Sequence, residues 1–197
     1  MKTLNYFFII ITSILIVSTG AQNIGSDYFS RTDISSTAAG AMRYSLYGYD
    51  NPAFLTTVKS YDLIVFGASP LKSAGFTRWG FISASENNSF YFNETAKGDR
   101  KVNDYGVNLS GGDEEFGIGV GYGWSNGDKD FFNRMNFWQT GMFYRPMKYL
   151  SFSALGVFPE KGAFNEGVFS AALRPFGDEK VAGFFDLVIG NESNPNR

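Results

Sequence analysis

The residues that most invite a chemical reading are FGIGVGYGW, Phe116 to Trp124, where glycine takes every second position. A glycine-rich loop that cradles phosphate needs the spacing G-x-G-x-x-G followed by a helix. Here the third position after Gly119 is Tyr122, and a polar stretch follows instead of a helical one. Two acidic runs, Asp113-Glu114-Glu115 and Asn126 to Asp130, invite a cation. A calcium loop requires acids at alternate positions and a distal glutamate, which neither run supplies, so both read as solvated turns. The 197 residues contain no histidine and no cysteine. That removes the catalytic triad, thiolate metal sites and disulfides together, and no serine-lysine pair sits in recognisable surroundings. The reading within these residues is therefore no enzyme, no cofactor and no metal.

The elements that would have to position such groups point elsewhere. The chain holds 23 Gly, 21 Phe and 11 Tyr, while only 18% of its residues are charged. Its net charge of -2 offers no basic stripe for a phosphate backbone, so nucleic acid is not an expected partner. Lys2, the apolar run Phe7 to Val17 and the small residues Ser18 to Ala21 read as a cleaved export signal. The expected organisation is a signal peptide at 1–21, an N-terminal arm at 22–60 containing Asn51-Pro52-Ala53, and β-strands over 61–197. The arm is expected to be partly helical near Pro52 to Val58.

From Tyr61 onward, short aromatic, β-branched and glycine runs alternate with turn clusters, which predicts about nine strands. The predicted spans are 61–69, 76–85, 89–93, 102–110, 115–124, 134–145, 149–158, 164–174 and 180–190. Tight turns are expected at 110–114, 145–148, 159–162 and 174–179, and longer polar loops at 93–101 and 125–133. As a strand, FGIGVGYGW puts Phe116, Ile118, Val120, Tyr122 and Trp124 on one face and four glycines on the other. Tyr105, Val107 and Leu109 repeat that pattern against small or polar alternates. The faces of 134–145 remain ambiguous, with Trp138, Met142 and Tyr144 competing against Met135, Phe137 and Phe143.

A soluble sheet would turn polar side chains to water and has no reason to strip a face to glycine. A barrel in an outer membrane reverses the logic, placing the bulky face in lipid and the small or polar face inside. The expected fold is therefore all-β, an antiparallel up-and-down transmembrane β-barrel of about 8–10 strands with a short N-terminal arm. Phe116, Ile118, Val120, Tyr122, Trp124, Tyr105, Val107 and Leu109 are expected to face lipid. Asp104, Arg134, Lys180 and Asp186 are expected on the lumen side, paired with partners. A secreted β-sandwich that binds a ligand is the alternative.

YGYDNPAFL at 47–55 with the strands RPMKYLSFSALG and RPFGDEKVAGFFDLVIG resembles bacterial outer-membrane barrels of the FadL/PorV-like group. Within it, the chain looks most like the barrel region ahead of the protease domain in some SppA-type (signal peptide peptidase) proteins. The resemblance implies a plug-like place for Asn51, Pro52 and Ala53, and outer-membrane lipid and the barrel-assembly machinery as partners. It also implies a structural or porin-like role with a small or hydrophobic solute. Two departures stand out: the chain ends NESNPNR where such barrels finish in an aromatic strand, and nine is an odd count. The expectation is either a chain that continues beyond Arg197 or one strand divided in two.

Overall fold

The computed structural model describes residues 46–68, 77–160, 164–175 and 181–192. They form one antiparallel sheet of nine strands in simple sequence order. The strands are β1 (Asp62–Ala68), β2 (Arg78–Ser85), β3 (Asn88–Lys97), β4 (Arg100–Gly112), β5 (Phe116–Gly127), β6 (Phe137–Met147), β7 (Leu150–Pro159), β8 (Phe164–Leu173) and β9 (Gly183–Glu192). Each expected strand is present within a few residues of its predicted span. The expected signal peptide and most of the arm lie outside the described residues, as does Lys180.

Two expectations are corrected. The sheet is not closed: among the described residues no ladder joins β1 to β9, which remain its two edges and run in the same direction. The polar stretch 93–101 is not a loop but the paired ends of β3 and β4, turned by Gly98-Asp99 alone with Gly98 at a φ of 61°. Its alternating side chains pair across strands, and polarity alone misled because strands can extend past their apolar portion. The second predicted loop is real and joins β5 to β6 over residues 128–136. Most turns at the opposite end are two or three residues long: 86–87, 113–115 and 148–149.

The arm enters through Tyr47 and Gly48, both at positive φ, and forms a 3-10 helix over Pro52–Thr57. Asn51 caps it, its side-chain oxygen accepting from the Ala53 N–H at 3.0 Å, and Pro52 stands where its missing N–H costs nothing. Every residue of this helix is buried. Tyr49 packs edge-on against Tyr91 of β3 at 4.7 Å, yet Asn51, two residues on, donates to the Ala154 carbonyl of β7 at 3.2 Å. In a flat sheet those strands would stand ~19 Å apart. Two residues of backbone reach ~7 Å, so the sheet curls around the arm.

Alternation then sorts the side chains. The concave face of β4 buries Val102, Asp104, Gly106 and Asn108. Its convex face presents Val107 and Leu109, with Tyr105 half-buried. In β6 the ambiguity resolves: Phe137 and Phe143 turn inward, while Trp138, Met142 and Tyr144 turn outward. No helix among the described residues is long and apolar enough to cross a membrane, which says nothing about strands.

Candidate functional site

The concave side is built in tiers. Nearest the short turns, the arm helix lies directly on glycine backbone. A methyl group at Gly119 would stand 2.5 Å from the Pro52 carbonyl carbon, and one at Gly141 would stand 2.0 Å from Asn51 Oδ1. One at Gly117 would meet Ala53 O and Thr56 Oγ1 at 2.8 Å. The alternating glycines of β5 thus admit a second stretch of chain against the sheet. Phe54 stacks on Phe143 with centroids 4.6 Å apart, and the Arg145 guanidinium lies 5.1 Å from both rings. Thr56 Oγ1 is shared between the Ala53 carbonyl and the Asp113 carbonyl of the β4–β5 turn. Leu55, Val58 and Ala84 form a further apolar cluster beside Tyr47.

The middle tier is uncharged and polar. Gln139 Nε2 donates to Asn108 Oδ1 at 2.7 Å, and Asn108 Nδ2 donates to Ser89 Oγ at 3.0 Å. Gly121 opens the gap they fill, since a methyl group there would stand 2.1 Å from Asn108 Oδ1. Toward the 128–136 loop comes the charged tier. Asp104 accepts from Ser125 Oγ at 2.6 Å and pairs with Arg134 Nε at 3.3 Å. Arg78 Nε donates to Asn93 Oδ1 at 3.0 Å. Both arginines and Asp104 are buried, an arrangement that survives only where charges meet partners. Arg134 lies in the loop, ahead of β6, and its buried guanidinium anchors that loop to the concave side. Across the hollow, β8 and β9 add the buried Glu166 and the half-buried Asp186.

The convex side is the opposite in character. Phe116, Ile118, Val120, Val107 and Leu109 are exposed, and Tyr105, Tyr122 and Trp124 are half-buried against one another. Toward the loop end their rings join a continuous aromatic band. Trp79 meets Phe92, Phe92 meets Tyr105, Tyr105 stacks on Trp124 at 5.6 Å, and Tyr122 meets Trp138 at 4.8 Å. The polar atoms of this band point to carboxylates: Tyr122 OH donates to Glu160 and Trp79 Nε1 to Glu94.

Of the residues singled out by sequence, Asp104 and Arg134 meet each other, Asp186 lies apart on β9, and Asn51 to Ala53 lie in the hollow. Sequence reasoning passed over Arg78, Asn93, Gln139 and Glu166. Strand alternation carried the signal for them, since each shares a face with a small or buried neighbour such as Gly80 or Gly141. Asn93 and Asn108, which sit in glycosylation sequons, are buried on the concave face and could not carry a glycan in this fold. Among the described residues no group of three metal-binding acidic, histidine or cysteine side chains converges. Comparison with protein families, characterised proteins and solved structures finds no match to this chain. The likeness to FadL/PorV-like and SppA-type barrels therefore rests on the quoted residues alone.

Proposed function

We propose that this chain is the strand-built wall of an outer-membrane β-barrel protein with a structural or solute-conducting role, reached through an export signal. One observation carries the reading: aromatic and aliphatic rows stand outside, while the concave side buries charges and hydrogen-bonded amides, Asn93, Asp104, Asn108, Gln139 and Glu166 among them, beside its apolar clusters. In water such a sheet would bury its large side chains and expose its charges. Here Val107 and Leu109 on β4, Phe116, Ile118 and Val120 on β5, and Trp138, Met142 and Tyr144 on β6 face outward, while Asp104, Arg134 and Arg78 face inward. Hydrocarbon accepts that arrangement, and so does a polar lumen.

The arm fits a plug: Pro52 to Thr57 lie against Gly117, Gly119 and Gly141 of β5 and β6, with Phe54 stacked on Phe143. The SppA-type relation, with this chain as a non-catalytic barrel region, shares the same wall and differs only in what accompanies it. A secreted sandwich draws less support, because the described residues supply one sheet and no second layer for its aromatics. In lipid the β1 and β9 edges must be covered, since an unpaired backbone there costs several kcal/mol per group. Fractionation of expressing cells tests the reading. The chain is expected in detergent-extracted outer membrane, with heat-dependent migration on gels; recovery in the soluble periplasm or medium would overturn it.

A further inference from the structure

The only asparagine in the chain that precedes a glycine is Asn126, at the loop end of β5. A backbone nitrogen can attack the side-chain amide of the residue before it when it carries no side chain that blocks the approach, and glycine carries none. The fold leaves that nitrogen free of the sheet. The Asp128 N–H enters the β4 ladder on the Lys101 carbonyl at 2.8 Å, so the N–H of Gly127, one residue back, faces away from β4. On the other side, β6 pairs with β5 only as far as Gly123, opposite Phe137. The Gly127 N–H donates instead to Asn126 Oδ1 at 2.9 Å. That bond folds the side chain back over its own backbone and draws Asn126 Cγ toward the Gly127 nitrogen, in the direction of the ~3–3.5 Å separation from which such attacks proceed. Both residues are exposed, and Gly127, with a φ of 104°, ends the strand.

Other asparagines are placed differently. Asn51, Asn93 and Asn108 are buried and hydrogen-bonded. Asn136 donates its amide to Glu160 and precedes the buried Phe137. Asn88 and Asn133 are exposed, but each precedes a buried residue with a side chain of its own, Ser89 and Arg134.

We propose that Asn126 is a self-modification site whose conversion releases the β5–β6 loop. The Gly127 nitrogen forms a bond to Asn126 Cγ, the Cγ–Nδ2 bond breaks, and ammonia leaves with the amide proton, closing a five-membered imide. Water then opens that ring at either carbonyl, giving aspartate or an isoaspartate whose chain runs through the former side chain. Aspartate puts a carboxylate on the same face as Asp128, ~7 Å along the strand, where it competes for the Arg100 guanidinium that ties Asp128. Isoaspartate adds a backbone methylene just ahead of the bonds between Asp128 and Lys101, and moves them out of register. The chemistry needs only water and stands apart from the membrane reading.

The test incubates the full folded chain at mildly alkaline pH, with the chain in urea alongside, and maps aspartate and isoaspartate by peptide fragmentation. Conversion is expected at Asn126 ahead of every other asparagine in the folded chain, and within about tenfold of its rate in urea. Asn126→Gln keeps an amide but would have to close a six-membered ring, and the position is expected to stay unconverted over the same period. The converted chain should be cut within 128–136 about fivefold faster than the fresh one, while the incubated Asn126→Gln chain should not. Suppression in the folded chain beyond that tenfold margin, earlier reaction at another asparagine, or equal cleavage of fresh and converted chains would each overturn the proposal.

Discussion

Glycine in the middle of a strand costs stability, and β5 carries four of them in alternation because something else must occupy their place. The clearest consequence concerns Gly141 and Gly119. Replacing either by alanine forces Asn51 or Pro52 off the sheet, with an expected loss of about 1–3 kcal/mol in chemical unfolding. Gly111→Ala, where a methyl group meets nothing within 4 Å, should stay within about 0.5 kcal/mol of the parent. Asn51→Ala removes both the cap on Ala53 and the bond to the Ala154 carbonyl, and is expected to cost about 1–3 kcal/mol in the same measurement. Asp104→Asn keeps the shape and strips the buried charge that pairs with Arg134. A loss of about 3–5 kcal/mol is expected, and an unchanged unfolding midpoint would show that the charged tier does not hold the hollow together.

At the scale of elements, the β5–β6 loop is tied at both ends, by Arg134 inside and by Asp128 outside. Asp128 accepts from Arg100 at 2.8 Å and from the Lys101 N–H at 3.0 Å, and these bonds hold its carboxyl below the ordinary carboxylate range. A depressed value in the fold means the tie is fully made above the ordinary aspartate pKa of about 4 and is lost as pH falls through the lower folded value. Proteolysis within 128–136 should therefore accelerate only in strong acid, and Asp128→Asn should accelerate it at neutral pH and flatten that acid dependence. The strands themselves were legible because alternation and turn residues act locally, within a few positions of each other. The inward turn of Phe137 and Phe143 was not. It depends on space left by Gly123 and Gly117 and on Phe54, nearly ninety positions away, and no window along the chain contains all of them. The polar ends of β3 and β4 were missed for the converse reason: Glu94, Lys101 and Asn103 pair across strands beyond the apolar band, where composition resembles a loop.

For the molecule as a whole, Trp79, Trp124 and Trp138 all lie in the aromatic band toward one end of the convex face, which sets an expected depth. In vesicles, lipids brominated near the headgroup should quench all three, and lipids brominated near the chain terminus should quench them little; the reverse order would contradict that placement. The nine-strand count carries a geometric consequence as well. Because β1 and β9 point the same way, a hoop made from this sheet can keep every neighbour antiparallel only by gaining an odd number of extra staves. Welding the two rims directly would instead create one parallel seam. A cysteine pair placed on Val65 and Leu187, in a chain with no thiol of its own, distinguishes the two outcomes: ready cross-linking marks the welded rim, and its absence marks an inserted stave.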